Sequence, residues 1–247
     1  NCVNIGSIIL SKKIIENLPN KNLSLENNLF PELIEKKKLS AFIIHHKYYS
    51  ISNESRILLT KLFFKKRKFI FLDRDGVINR AIIRNGKPYA PDSIDSFEFL
   101  PGVLEAVTSL RAAGFCLIVI TNQPDVGAGR QTKSTVEAMH DHLRATLDVD
   151  DIRVCYHIDA DKCECRKPKP GMILDAAHHW NIDLARSVLV GDRWRDIEAG
   201  KAAGCRTILV GQSYDERQAR GYDAAVPSLL DASHLILSGP INSTEMK

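Results

Sequence analysis

Five short apolar runs, each separated from the next by a stretch with helical spacing, restrict the fold more than any other feature of the chain. The runs are FIFL at 69–72, FCLIVI at 115–120, IRVCY at 152–156, SVLV at 187–190 and TILV at 207–210. Between them lie VLEAVTSLRAAG, TKSTVEAMHDHLRATL, MILDAAHHWN and RDIEAGKAAG, with Gly114 and Gly204 placed to end helices. Strand then helix, repeated, predicts an α/β protein with a doubly wound, Rossmann-like parallel sheet covered by helices on both faces. In such a sheet chemistry belongs at the carboxyl ends of the strands. The residues found there are Asp73 and Asp75, then Thr121 and Asn122, then Gly191 and Asp192.

Each of these residue types suits phosphoryl transfer. A carboxylate attacks phosphorus to form an aspartyl phosphate, and a second one two residues on protonates the leaving alcohol and later activates water. A lone strand-ending Asp is better read as a cap for the next element, but here several strand ends are polar together. Gly76 permits a tight turn after the pair. Asp192 brought near Asp73 would be repelled unless a hard cation lay between them, and magnesium is the expected one. Asp196 is read either as a supporting partner of the metal site or as a helix N-terminal charge, and the latter reading is favoured. Thr121, Asn122 and the backbone N–H groups after them suit phosphate oxygens, while Arg166 and Lys167 supply positive charge.

The stretch CYHIDADKCECRKPKPG contains Cys155, His157, Cys163 and Cys165 in the spacing C-x-H-x5-C-x-C. Four soft or borderline ligands make a closed, structural zinc site, with no open position for substrate. There is no C-x-x-C, so a redox role is disfavoured. Zinc would pin this loop so that its end delivers Arg166 and Lys167, and Pro168 and Pro170 stiffen the exit. Trp194 is read as packing at a helix start or bordering the pocket, and His178 and His179 as surface or core histidines. Arg80, Arg84 and Lys87 fall in the insertion after the first acidic pair, where one of them could meet a second phosphate.

Composition excludes more than it selects. A length of 247 residues with 44% hydrophobic content supports a real core, and 34 basic against 30 acidic residues is too even a balance to imply nucleic acid. No apolar run approaches a membrane span and no cleavable leader is recognisable, so a cytoplasmic protein without membrane partners is expected. Composition shifts near residue 66, from Asn, Lys, Ile and Leu to Ala, Gly, Asp and Arg. The expected organisation is a separate segment over 1–66, one domain over 67–237 and a flexible tail over 238–247.

DRDGVIN, TNQ, the Lys167 region and GDRWRD, in that order, resemble the four motifs of haloacid dehalogenase superfamily phosphatases. The resemblance implies Asp73 as nucleophile and magnesium ligand, Asp75 as acid/base whose carbonyl also meets the metal, Thr121 and Lys167 as phosphate holders, and Asp192 as the remaining magnesium ligand. The cysteine-rich insertion with CRKPKPGM resembles the subgroup of heptose 1,7-bisphosphate and histidinol-phosphate phosphatases, which implies magnesium for chemistry, zinc for structure and a small sugar phosphate as substrate. KPKPGMI and TNQPDVGAGR lean to the heptose side, although GAGR departs from its usual ARG ending; the short zinc-loop spacing leans to histidinol phosphate. VNIGSIILSKKIIENLP and SLENNLFPELIEKKKLSAFI resemble the C-terminal part of sugar-phosphate nucleotidyltransferases. Their glycine-rich start is missing, and Ser50, Ile51 and Ser52 stand where a metal-binding DIG turn would be. A transferase activity is therefore not expected, while a fused sugar-activating segment favours the heptose substrate. A non-catalytic zinc module attached to such a segment is the reading from a different class.

Overall fold

The computed structural model describes residues 11–16, 18–19, 24–40, 54, 56–57, 68–211 and 214–239. The chain divides into two compact units, Asn1–Lys65 and Lys66–Lys247. VNIGSIIL, Ser50 to Ser52, residues 58–67 and the tail from residue 240 lie outside the described residues.

In the first unit, helix α1 (Lys12–Glu16) is followed by a π-helical turn over Leu25–Leu29 and helix α2 (Phe30–Glu35). Ser24 starts the turn by accepting the Asn27 N–H on its hydroxyl at 3.2 Å. Leu29 and Leu33, one helical turn apart, are the buried apolar side chains among its described residues.

The second unit carries a parallel sheet of six strands, β1 (Lys68–Leu72), β4 (Phe115–Asn122), β5 (Asp151–Cys155), β6 (Val188–Gly191), β7 (Arg206–Val210) and β8 (Ala224–Val226). A separate antiparallel hairpin pairs β2 (Ile82–Arg84) with β3 (Lys87–Tyr89). The sheet runs β5-β4-β1-β6-β7-β8. The chain therefore winds outward from β1 on one side, then returns to its other side at β6, which is the doubly wound order with its switch point beside β1. The five expected strands all form, within a residue or two of their predicted limits. β8 is additional, a three-residue edge strand too short to give a periodic signal.

Helices α3 (Val103–Ala112), α4 (Pro124–Gly127), α5 (Lys133–Thr146), α6 (Gly171–Trp180), α7 (Trp194–Ala203) and α8 (Leu229–Leu237) complete the unit. Side chains alternate across the strands, and both faces are apolar. Ile70, Leu72, Leu117, Val119, Val188 and Val190 pack with α3, α5 and α8 on one face. Phe69, Phe71, Ile118, Ile120 and Leu189 pack with α6 and α7 on the other. Helices α3 and α7 run out at Gly114 and Gly204, as expected.

The hairpin is not among the elements that hydrophobic patterning predicts. Its turn is Asn85-Gly86, both with positive φ (49° and 72°), and it brings Arg84 opposite Lys87. Two residues in that conformation match the twist of the flanking strands, so Asn-Gly is the available signal. Arg80 and Arg84 engage Glu98 and Asp92 on the surface, leaving Lys87, of the three bases considered for a second phosphate, on the wall of the cavity described below.

Candidate active site

The strands are apolar until their carboxyl edge, so the chain turns polar at adjacent points of β1, β4 and β6. Asp73 leaves β1 with its N–H still bonded to the Val190 carbonyl at 3.0 Å. Its Oδ1 accepts the Arg74 N–H at 2.7 Å and the Lys167 ammonium at 2.8 Å. Asp192, directly after β6, is buried, and its Oδ2 accepts the Tyr214 hydroxyl at 2.5 Å. Asp196 also belongs here. Its Oδ2 accepts the Arg193 N–H at 3.0 Å, capping α7 as expected, but its Oδ1 lies 2.6 Å from Lys167 Nζ. The favoured expectation, a helix-terminal charge, thus gives only half its role; a carboxylate 1% exposed and paired with a buried lysine is part of the site, as the other reading has it.

Gly76 is what allows the turn after Asp75 to lie against Asp192. Its φ is +91°, and a Cβ there would sit 1.9 Å from Asp192 Oδ2. Any side chain would displace that carboxylate.

Asp75 points to a different set of partners. Arg74 grips it through Nε and Nη2 at 2.9–3.1 Å, Asn79 donates to Oδ1 at 2.9 Å and Gln123 to Oδ2 at 2.7 Å. Gln123, fully buried, also donates to Thr121 Oγ1 at 2.8 Å, which leaves the threonine hydrogen free to point to a ligand. Asn122 holds the backbone of Lys167 at both ends, donating to its carbonyl and accepting its N–H, each at 3.1 Å. Its side-chain amide thereby locks the lysine-bearing arm onto β4.

That arm is the cysteine-rich loop. Sγ of Cys155, Cys163 and Cys165 and Nδ1 of His157 lie 3.2–3.8 Å apart in the pairs that touch. A tetrahedron about an ion some 2.3 Å from sulfur has edges of about 3.8 Å, so the four atoms are gathered closely enough to hold zinc once Cys165 draws back slightly from the other two sulfurs. Chelating the metal from the folded protein is expected to lower its melting temperature and to reduce phosphate release about tenfold or more. Re-addition of zinc, but not magnesium, should restore both; metal analysis that finds no zinc in active protein would exclude this bracing role.

One carboxylate oxygen from each of Asp73, Asp192 and Asp196 lies within 4.8 Å of the other two, all three side chains buried. Against their three charges stands one ammonium, that of Lys167, leaving an excess that one divalent cation neutralises. Burial and then the Asp196 charge push Asp73 up to about 7. Burial, Asp73 and Asp196 hold Asp192 well above the usual carboxylate range. Asp192 Oδ1 is buried without a hydrogen-bond partner. An all-oxygen donor set with an unpartnered buried oxygen suits magnesium. Burial disfavours the charge on Lys167, but Asp196 and Asp73 outweigh it and raise its pKa.

A cavity of about 210 Å³ opens at these groups, lined by Asp73, Asp75, Thr121, Asn122, Arg166 and Lys167 together with Lys87, Arg130, Arg193 and Arg195. Arg166 reaches Asp159 through Nε at 2.6 Å, while its Nη1 is buried with no partner. Trp194 lies outside the cavity, in contact with the guanidinium groups of Arg195 and Arg217. His178 and His179 are exposed on α6.

Residues 164–232 match the HAD-hydrolase-like family model. The chain is 39% identical to the D-glycero-beta-D-manno-heptose-1,7-bisphosphate 7-phosphatase of Rhodopseudomonas palustris, over 56% of this chain and 81% of that protein. To the enzyme of the same name from Escherichia coli it is 35% identical, over 68% and 92%. The D,D-heptose 1,7-bisphosphate phosphatase of B. bronchiseptica, solved with magnesium and phosphate, superposes with a TM-score of 0.61 at 33% identity, covering 69% of this chain and 98% of that one. A sheet with this winding, the acidic cluster at its switch point and relatives of this identity and coverage place the chain in the haloacid dehalogenase-type phosphatases, close to the heptose-1,7-bisphosphate 7-phosphatases.

Proposed function

We propose that the second unit hydrolyses the 7-phosphate of D-glycero-D-manno-heptose 1,7-bisphosphate, with Asp73 as nucleophile and Asp75 as general acid and base. The observation that carries this reading is the meeting of Asp73 and Asp192, just past the ends of the neighbouring strands β1 and β6, with Lys167 of the cysteine-rich arm. Thr121 and Lys167 bind the phosphate oxygens, and Arg166 the rest of the substrate. Asp73 attacks phosphorus, the phosphorus–oxygen bond to the sugar breaks, and the departing alkoxide takes the proton of Asp75. Water then attacks the phosphoaspartate, giving its proton to Asp75, and releases phosphate with Asp73 restored. Asp73, Asp192 and the Asp75 carbonyl, with Asp196 beside them, would hold magnesium, which supplies charge neutralisation for the transferring group.

The rim favours a doubly phosphorylated sugar. Lys87, Arg130, Arg166, Arg193 and Arg195 all line the cavity, so a second phosphate there would meet positive charge. Histidinol phosphate would instead bring a protonated amine to the same basic wall. The resemblance of the 1–66 segment to a nucleotidyltransferase C-terminus points the same way, toward consecutive steps of nucleotide-sugar synthesis.

Phosphate release should be compared for heptose 1,7-bisphosphate, heptose 7-phosphate and histidinol phosphate. The bisphosphate is expected to have the highest kcat/KM. Arg166→Ala should lower that value about 10–100-fold with a much smaller effect on the monophosphate. A preference for histidinol phosphate would overturn the substrate assignment.

A further inference from the structure

The residue between the two acids has a structural role of its own. Arg74 is the largest fully buried side chain among the described residues, and a buried guanidinium must have both its charge and its N–H groups satisfied. Asp75 supplies the charge and takes Nε and Nη2. The remaining arm, Nη1, meets Nε2 of His140 at 3.0 Å. His140 is itself completely buried on α5, far from Arg74 in sequence. Since an arginine only donates, Nε2 must accept, which puts the imidazole hydrogen on Nδ1. That atom faces Glu137 Oε2 at 3.7 Å, and the other Glu137 oxygen accepts the Tyr156 hydroxyl. Burial and the neighbouring Arg74 charge keep the ring neutral, with a pKa lowered to about 4.

We infer that His140 is a positioning residue for catalysis, holding the Arg74 fork that aims the Asp75 carboxylate at the leaving oxygen. The chain of contacts is not a proton wire, because arginine stays protonated and interrupts it. Its function is geometric. A general acid displaced by about 1 Å loses on the order of a hundredfold in rate, and Arg74 has no other described side chain besides His140 and Asp75 to fix its plane by hydrogen bonds. The Phe97 ring, whose centroid lies 5.9 Å from the guanidinium carbon, packs against it without setting its rotation about that contact.

The inference rests on the reading of Asp75 as the group that protonates the leaving alcohol, and leaving-group dependence separates the two. A sugar alkoxide needs that proton, whereas 4-nitrophenolate leaves without it. For His140→Phe, kcat/KM, which reports steps up to alcohol departure, should fall about 10–100-fold on the sugar phosphate and less than about threefold on 4-nitrophenyl phosphate. His140→Gln, which keeps an acceptor, should recover most of the loss. If His140→Phe does not fold, Arg74→Lys, which keeps the charge but not the fork, takes its place in the comparison. Equal losses on both substrates would mean His140 serves only the fold and would overturn the inference. Asp75→Asn is the reference: if its own loss is the same on both substrates, the acid assignment falls and the inference with it. If Asp75→Asn is selective while the His140 and Arg74 variants are not, the inference alone fails.

Discussion

Asp73→Asn is expected to abolish phosphate release while making the magnesium-free protein more resistant to heat. An amide cannot form the phosphoenzyme, so turnover should fall by at least about 10⁴-fold, the scale on which loss of a nucleophile is felt. The stability effect has the opposite sign. Asp73 in the folded protein titrates near 7, against 3.8 when free of its surroundings. Between those values the native state holds a proton that the unfolded chain has released, so stability declines as pH rises from about 4 to about 7 and stays lower above that. The cause is burial beside Asp196, which the Lys167 ammonium only partly offsets. The substituted amide carries no such charge, so the melting temperature of the variant in zinc-replete, magnesium-free buffer should exceed that of the parent by several degrees at pH 8 and converge with it near pH 4. Magnesium should stabilise the parent much more than the variant. Retained turnover would remove Asp73 from the mechanism; parallel melting curves across pH would remove the charge argument.

Lys167→Met should damage both properties at once. The lysine donates to the Ile120 carbonyl at 2.9 Å and contacts Asp73 and Asp196, with 2% of its surface exposed. Removing one member of a buried ionic group leaves its partners uncompensated, typically at about 3–5 kcal/mol, which here means a melting temperature lower by on the order of 10 °C. Catalysis should fall about 10²–10³-fold through lost stabilisation of the transferring phosphoryl group. Magnesium is expected to recover much of the stability, because it neutralises the same acids, and little of the rate, because it does not replace the ammonium. Calorimetry with and without magnesium, alongside single-turnover kinetics, separates these outcomes. Recovery of both by magnesium would show that Lys167 contributes only charge balance.

How far residues alone disclose such a molecule depends on what kind of neighbour they have. FIFL, FCLIVI and SVLV are readable as strands because burial on both faces makes them apolar throughout. IIR and KPY in the hairpin are exposed or interrupted by proline, so only Asn85-Gly86 carries a local signal. The cysteine cluster is legible because its ligands lie close in sequence and the four atoms need each other for one ion. Asp196 is harder, since a carboxylate in the first turn of a helix has a sufficient local reason to be there. Arg74, Gln123 and His140 are beyond reach of that kind of reading: their partners are distant in the chain, and nothing adjacent marks a basic or amide side chain as buried.

The central place of β1 also dictates when the protein can become itself. Its two neighbours pair through contacts such as Ile70 with Leu117 and Ile70 with Val188, so the middle of the sheet closes only after the chain has looped back twice. Long-range closure of this kind delays folding. On a ribosome the strand preceding Asp73 would wait, with an apolar edge unpaired, until β6 had emerged, and that interval is when the nascent chain is most exposed to aggregation.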